Sequence, residues 1–160
     1  MRILRSVVVI TALASGTISF FAPPVQAAVL TIGQAGHQAK GPYGRFVCAE
    51  VSAGSLSPGT PIQAWSCHGG PNQQFEFNSL AIYALGGQGC VDVSGGRTTA
   101  GTPVQFWPCN GTGAQQWYYR KGKIYNPQSN KCLDALDMAN GRQLVINYCD
   151  GAISENWQIK

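Results

Sequence analysis

The sequence predicts an all-β domain in which one unit is repeated three times and the whole closes on itself. Cysteines and aromatics recur at a fixed period, short apolar or alternating runs are punctuated by turn residues, and no stretch sustains a capped helical period. Cys48, Cys90 and Cys132 are 42 and 42 apart, and Cys67 and Cys109 are 42 apart with Cys149 following 40 later. Gly59, Gly101 and Gly141 keep the 42 and 40 spacing, as do the aromatics Phe75, Trp117 and Trp157. Two residues are therefore missing from the third copy. They fall between Asp134 and Gly141, because first cysteine to glycine is eleven residues in two copies and nine in the third.

Taken in chain order, MRILR carries two arginines, Val7 to Phe21 is a mostly apolar run of fifteen, and Val25-Gln26-Ala27 offers a small-residue cleavage point. These are the marks of a secretory signal peptide over 1–27, and the run falls short of the roughly 18 to 20 apolar residues a membrane span needs. The mature chain, 28–160, then has room for one domain with approximate repeats 28–78, 79–120 and 121–160. AVLTIGQAG supplies the strand that opens the first copy, with a longer interval to Cys48 than the other copies have. RFVCAEV, PIQAWSC, QFEF and AIYAL read as short strands separated by Gly, Ser, Asn and Pro clusters. Four strands per copy make about twelve, and a closed threefold arrangement removes exposed strand edges.

All six cysteines lie in the mature part, as expected of disulfides in an oxidising compartment. The repeat favours Cys48 with Cys67, Cys90 with Cys109 and Cys132 with Cys149, each bridge worth about 3 kcal/mol by loop-closure entropy. Zinc fits poorly, since there is no Cys-x-x-Cys and only His37 and His68 are present; neither metal nor cofactor is expected. His68, directly after Cys67, reads as a loop residue. Without Arg2 and Arg5 the basic residues fall from eleven to nine against seven acidic ones, so the formal charge drops from +4 to +2. No basic stripe remains for nucleic acid. Arg120, Lys121 and Lys123, around Gly122, read as a solvated hairpin tip.

CVDV with GTPVQFWPC and QQW, CAEV with GTPIQAWSC and QQF, and CLDA with GRQLVINYC and ENW together resemble the ricin-B-type lectin family. The resemblance covers residues 37–160 and implies a β-trefoil with pseudo-threefold symmetry. It implies that the acid two residues after the first cysteine accepts sugar hydroxyls and that the aromatic two residues before the second cysteine stacks on the ring. An Asn before Gln-x-Trp would donate to a hydroxyl, and that Gln would orient the acid. The closing aromatic would be core. The chemistry suits a sugar, which has a polyhydroxylated edge and a face of C–H groups, and galactose in particular exposes a continuous apolar patch.

Carried onto this chain, the best site is in the second copy: Asp92, Gln105, Trp107 and Gln115, with Ala114 where Asn is expected. The first copy offers Glu50, Gln63, Trp65, Asn72 and Gln73, its longer acid expected to misplace the carboxylate. The third keeps Asp134 but has Val145 and Asn147 where Gln and the aromatic belong; Tyr148 is its substitute platform, and a turn-forming role for Asp134 is favoured. The expected partner is a carbohydrate, a galactose-type glycan or a plant or cell-surface polysaccharide, with no nucleic acid and no membrane span. An enzyme is not expected, because the acids belong to separate copies and no Gly-x-Ser-x-Gly or His-Glu-x-x-His occurs. The competing reading is a trefoil interaction protein with decayed sugar pockets, either a toxin's cell-binding subunit or a protease inhibitor, with a protein partner.

Overall fold

The computed structural model describes residues 47–78 and 80–159, and the backbone of 29–34. The export segment read at 1–27 and His37 lie outside the described residues. The first copy contributes β1 (Val29–Gln34), β2 (Val47–Val51), β3 (Thr60–Ser66) and β4 (Gln74–Asn78). The second contributes β5 (Ala81–Ala84), β6 (Gly89–Val93), β7 (Thr102–Trp107) and β8 (Tyr118–Arg120). The third contributes β9 (Lys123–Asn126), β10 (Lys131–Asp134), β11 (Arg142–Gln143), β12 (Val145–Asn147) and β13 (Trp157–Ile159). Single 3-10 turns join some of these strands, and no α-helix occurs among the described residues.

The count is thirteen rather than about twelve because the third-copy counterpart of β3 and β7 divides at Leu144. There the chain changes partner: Leu144 N–H donates to the Ile62 carbonyl at 2.8 Å and its own carbonyl accepts Val104 N–H at 2.8 Å. Accordingly β11 pairs with β3, whereas β12 pairs with β7 and β10. AVLTIGQAG does supply the opening strand. β1 pairs with β2, β4 and β13, joining the two ends of the domain. Its longer lead is visible in the register, since Gly33 pairs with Cys48 while Tyr83 and Tyr125 pair with Cys90 and Cys132, only seven residues on.

Three equivalent bonds tie the copies into a ring. Gly59 N–H donates to the Phe106 carbonyl (2.9 Å), Gly101 N–H to Ile146 (2.8 Å) and Gly141 N–H to Ala64 (2.9 Å). A closed ring leaves few strand edges open to other chains. Inside it, the equivalent residues Ile62, Val104 and Leu144, and likewise Ala64, Phe106 and Ile146, all belong to one buried core cluster. Phe106, the largest of the second set, is accommodated locally. A Cβ on Gly89 would stand 2.3 Å from the Phe106 ring, so only glycine fits there. Phe75, Trp117 and Trp157 are fully buried, which makes the closing aromatics core residues. A buried indole N–H needs an acceptor. Trp117 donates to the Val91 carbonyl and Trp157 to the Leu133 carbonyl, each at 2.9 Å.

The disulfides are Cys48–Cys67, Cys90–Cys109 and Cys132–Cys149, one in each copy, as the repeat favours. No helix among the described residues is long and apolar enough to cross a membrane.

Candidate functional site

In the second copy β6 and β7 pair with Cys90 opposite Trp107 and Asp92 opposite Gln105. Because strand side chains alternate, these four share one face. The 3-10 turn Gly113–Gln115 delivers the last member. Gln105 Nε2 donates to Asp92 Oδ1 at 3.0 Å, and Gln115 Nε2 donates to Asp92 Oδ2 at 3.1 Å. Gln115 is itself fixed, donating to the Pro108 carbonyl (3.0 Å) and accepting Asn110 N–H (2.8 Å). Asp92 is only 5% exposed and has no cationic partner among the described residues. Each carboxylate oxygen therefore accepts one amide and keeps capacity for one outside donor. Trp107, 38% exposed, stands at the outer end of the same face. Its ring lies over the first copy: a Cβ on Gly59, at φ +87°, would meet the indole at 3.9 Å. Ala114 is buried and offers no side-chain donor.

The first copy repeats this arrangement. Gln63 Nε2 donates to Glu50 Oε1 at 3.1 Å and Gln73 Nε2 to Oε2 at 2.9 Å, so the extra methylene of Glu50 does not disturb either glutamine contact. Trp65 is 37% exposed and lies against Gly141 of the third copy. Asn72 turns its amide to the Val51 carbonyl, at 3.4 Å. His68 is more than a loop residue, because its Nε2 sits 2.9 Å from Glu50 Oε2. Sequence reasoning missed this contact. The available signal was that His68 begins the turn organised by Gln73, whose Oε1 accepts the N–H groups of His68 (2.8 Å) and Gly69 (3.2 Å).

The third copy is rewired. Asp134 Oδ1 accepts Leu136 N–H at 2.7 Å, closing a turn, and Oδ2 accepts Asn147 Nδ2 at 3.0 Å. Asn147 occupies the aromatic's place opposite Cys132, and Val145 is buried opposite Asp134. Glu155 stands where Gln115 stands in the second copy, and a carboxylate cannot donate to Asp134. Fully buried, it accepts from Lys123 Nζ at 2.7 Å and Gly151 N–H at 3.2 Å. Tyr148 is 66% exposed and lies under Lys131, whose Nζ is 4.8 Å from the ring centroid. In the shortened loop, Arg142 donates from Nε and Nη2 to the two oxygens of Asp137, at 2.9 and 2.5 Å. The guanidinium holds that carboxyl down at about 2. No cluster of His, Cys, Asp and Glu suited to a metal ion occurs among the described residues.

A threefold closed sheet, with one disulfide in each copy and an acid, an amide and an outer-strand side chain on a common face, is a β-trefoil. The family model of the ricin-type beta-trefoil lectin domain matches residues 41–157, and the chain belongs to this family, whose domain is a non-catalytic carbohydrate-binding fold. Among solved structures, an agglutinin from Abrus precatorius superposes with a TM-score of 0.71 at 23% identity, over 88% of this chain and 51% of its own. A non-toxic homologue of type II RIPs from Momordica charantia, in complex with α-methyl-D-galactoside, gives 0.69 at 22%, over 84% and 48%. The β-trefoil lectin of a Vibrio vulnificus hemolysin/cytolysin with N-acetyl-D-lactosamine bound gives 0.64 at 18%, over 84% and 95%. The chain thus spans about half the length of the two plant proteins. No curated protein matches it.

Proposed function

We propose that the protein is an exported lectin that holds galactose-type glycans, or a polysaccharide bearing such sugars, without cleaving them. Its principal site is Asp92, Gln105, Trp107 and Gln115. The observation that carries this reading is an exposed indole beside a buried carboxylate whose two oxygens are each oriented by a glutamine. A sugar laid with its C–H face on Trp107 would present its hydroxyls to the remaining lone pairs of Asp92. The Glu50, Gln63 and Trp65 pocket is a second, weaker site, because His68 already takes part of the Glu50 accepting capacity. The two solved neighbours with α-methyl-D-galactoside and N-acetyl-D-lactosamine direct the choice of ligand class. One shallow pocket binds at about millimolar strength, roughly −4 kcal/mol, and two on one body gain by avidity on a multivalent glycan.

Hydrolysis is not part of the proposal. The side chains bonded to Asp92 are amides that orient it as an acceptor, whereas hydrolysis would call on a second carboxylate about 5 to 10 Å away. Titration calorimetry with methyl galactoside, lactose and an arabinogalactan tests the reading, alongside a reducing-sugar assay. Binding that Trp107→Ala weakens about 10- to 100-fold, with no sugar released, supports it. Absence of binding to all three ligands, or binding indifferent to Trp107→Ala, would leave the trefoil as a scaffold for a protein partner.

A further inference from the structure

We propose a separate binding site for an anionic saccharide, one carrying a carboxylate or a sulfate, in the cleft between the β8–β9 hairpin and the third disulfide. The fold makes this cleft more than once. In the second copy a cleft of about 370 Å³ is lined by Asn78, Ala81, Tyr83 and the Cys90–Cys109 bridge, among others. Its threefold counterpart has Arg120, Lys123 and Tyr125 beside the Cys132–Cys149 bridge, together with Tyr118 and Tyr119, and encloses about 590 Å³. The same backbone thus carries a cleft without a charged residue in one copy and a larger, cationic, tyrosine-rich one in the next. No Asp or Glu lines the third-copy cleft, nor do Asp134 and Asn147.

The groups at the cleft divide into those that are engaged and those that are free. Lys121 and Gly122, at φ 50° and 80°, make the tight turn expected of a hairpin tip. Lys123 departs from that solvated tip, since its ammonium is held by the buried Glu155. The Tyr119 hydroxyl donates to the Trp157 carbonyl at 3.0 Å, and the Tyr125 hydroxyl donates to Asn130. The guanidinium of Arg120 and the hydroxyl of Tyr118 have no hydrogen-bond or ionic partner among the described residues. Tyr118 pairs across the strands with Tyr125 and is 44% exposed. A guanidinium fork matches a carboxylate or sulfate, and a tyrosine face takes the C–H face of a sugar ring. An anionic saccharide satisfies both at once.

This site stands apart from the pocket at Asp92, and the two fail separately. Titrate the full chain with trigalacturonate, lactose 3′-sulfate, neutral lactose and poly-glutamate. Trigalacturonate or the sulfated lactose should bind, with affinity at least tenfold lower in Arg120→Ala and in Tyr118→Ala and unchanged in Trp107→Ala. Whichever of the two binds assigns the anion as carboxylate or sulfate. Neutral lactose should show the reverse dependence on these variants. The proposal is overturned if neither anionic sugar binds, if their binding follows Trp107 and ignores Arg120, or if poly-glutamate competes equally and Tyr118→Ala has no effect.

Discussion

The second and third copies share a backbone path and a disulfide but put the same aspartate to different uses. Asp92 is held by two glutamines far from it in sequence, and each of its oxygens still faces a possible outside donor. Asp134 closes its own turn through Leu136 and is capped by Asn147. Where Gln115 donates, Glu155 can only accept, and it draws Lys123 inward in compensation. The bed for a third indole nevertheless persists. Trp107 lies against Gly59 and Trp65 against Gly141, while nothing comes within 4 Å of a Cβ on Gly101. A trefoil backbone therefore tolerates a rewired polar network, provided each buried group finds a partner.

The comparison can be broken most sharply at Lys123. Lys123→Ala should cost about 3 kcal/mol in urea unfolding, because it strands the fully buried Glu155 carboxylate. Adding Glu155→Gln should recover most of that loss. If Lys123→Ala alone is as stable as the parent, the account of the third copy is wrong. Next in size, Asp92→Asn and Trp107→Ala should each weaken galactoside binding about 10- to 100-fold, roughly 1.4 to 2.8 kcal/mol, with little change in Tm. Asp134→Asn and Asn147→Ala should leave calorimetric affinity unaltered.

The comparison can also be sharpened by rebuilding the site. Val145→Gln, Asn147→Trp and Glu155→Gln, with Lys123→Ala, should raise binding stoichiometry by one, since the place beside Gly101 is open. Unchanged stoichiometry would mean that the shortened loop itself forbids a sugar there. The smallest effect belongs to Asp137. Its carboxyl lies at about 2 against an ordinary 3.8, through the Arg142 hydrogen bonds. A lowered carboxylate pKa stabilises above the unfolded value and loses that contribution as pH falls through the folded one. The slight advantage of the parent over Asp137→Asn in urea titrations should be present at pH 6 and vanish toward pH 2. It stays slight because both partners are about half exposed.

Much of this was legible in the sequence. The 42-residue period marked out the copies and favoured the bridges, because period is a property of the chain itself, and the family resemblance implied that the closing aromatics are core. The members of the second-copy pocket followed from the motif, Asp92 and Trp107 on paired strands and Gln115 on the turn after the second cysteine. What escaped were contacts to groups outside the motif. His68 beside Glu50 and Lys123 against Glu155 each join residues that no spacing rule connects.

The sequence by itself determined that a disulfide-pinned unit recurs three times as short strands, since alternation, turn residues and cysteine intervals act locally and survive in any unfolded description. Only the tertiary structure decided which acids still have accepting capacity, which indoles face water and where cationic and aromatic groups gather without a partner. Those outcomes depend on distances of about 3 Å between side chains 13 to 32 residues apart in the chain, and such distances exist only after the strands have paired and the turns have closed.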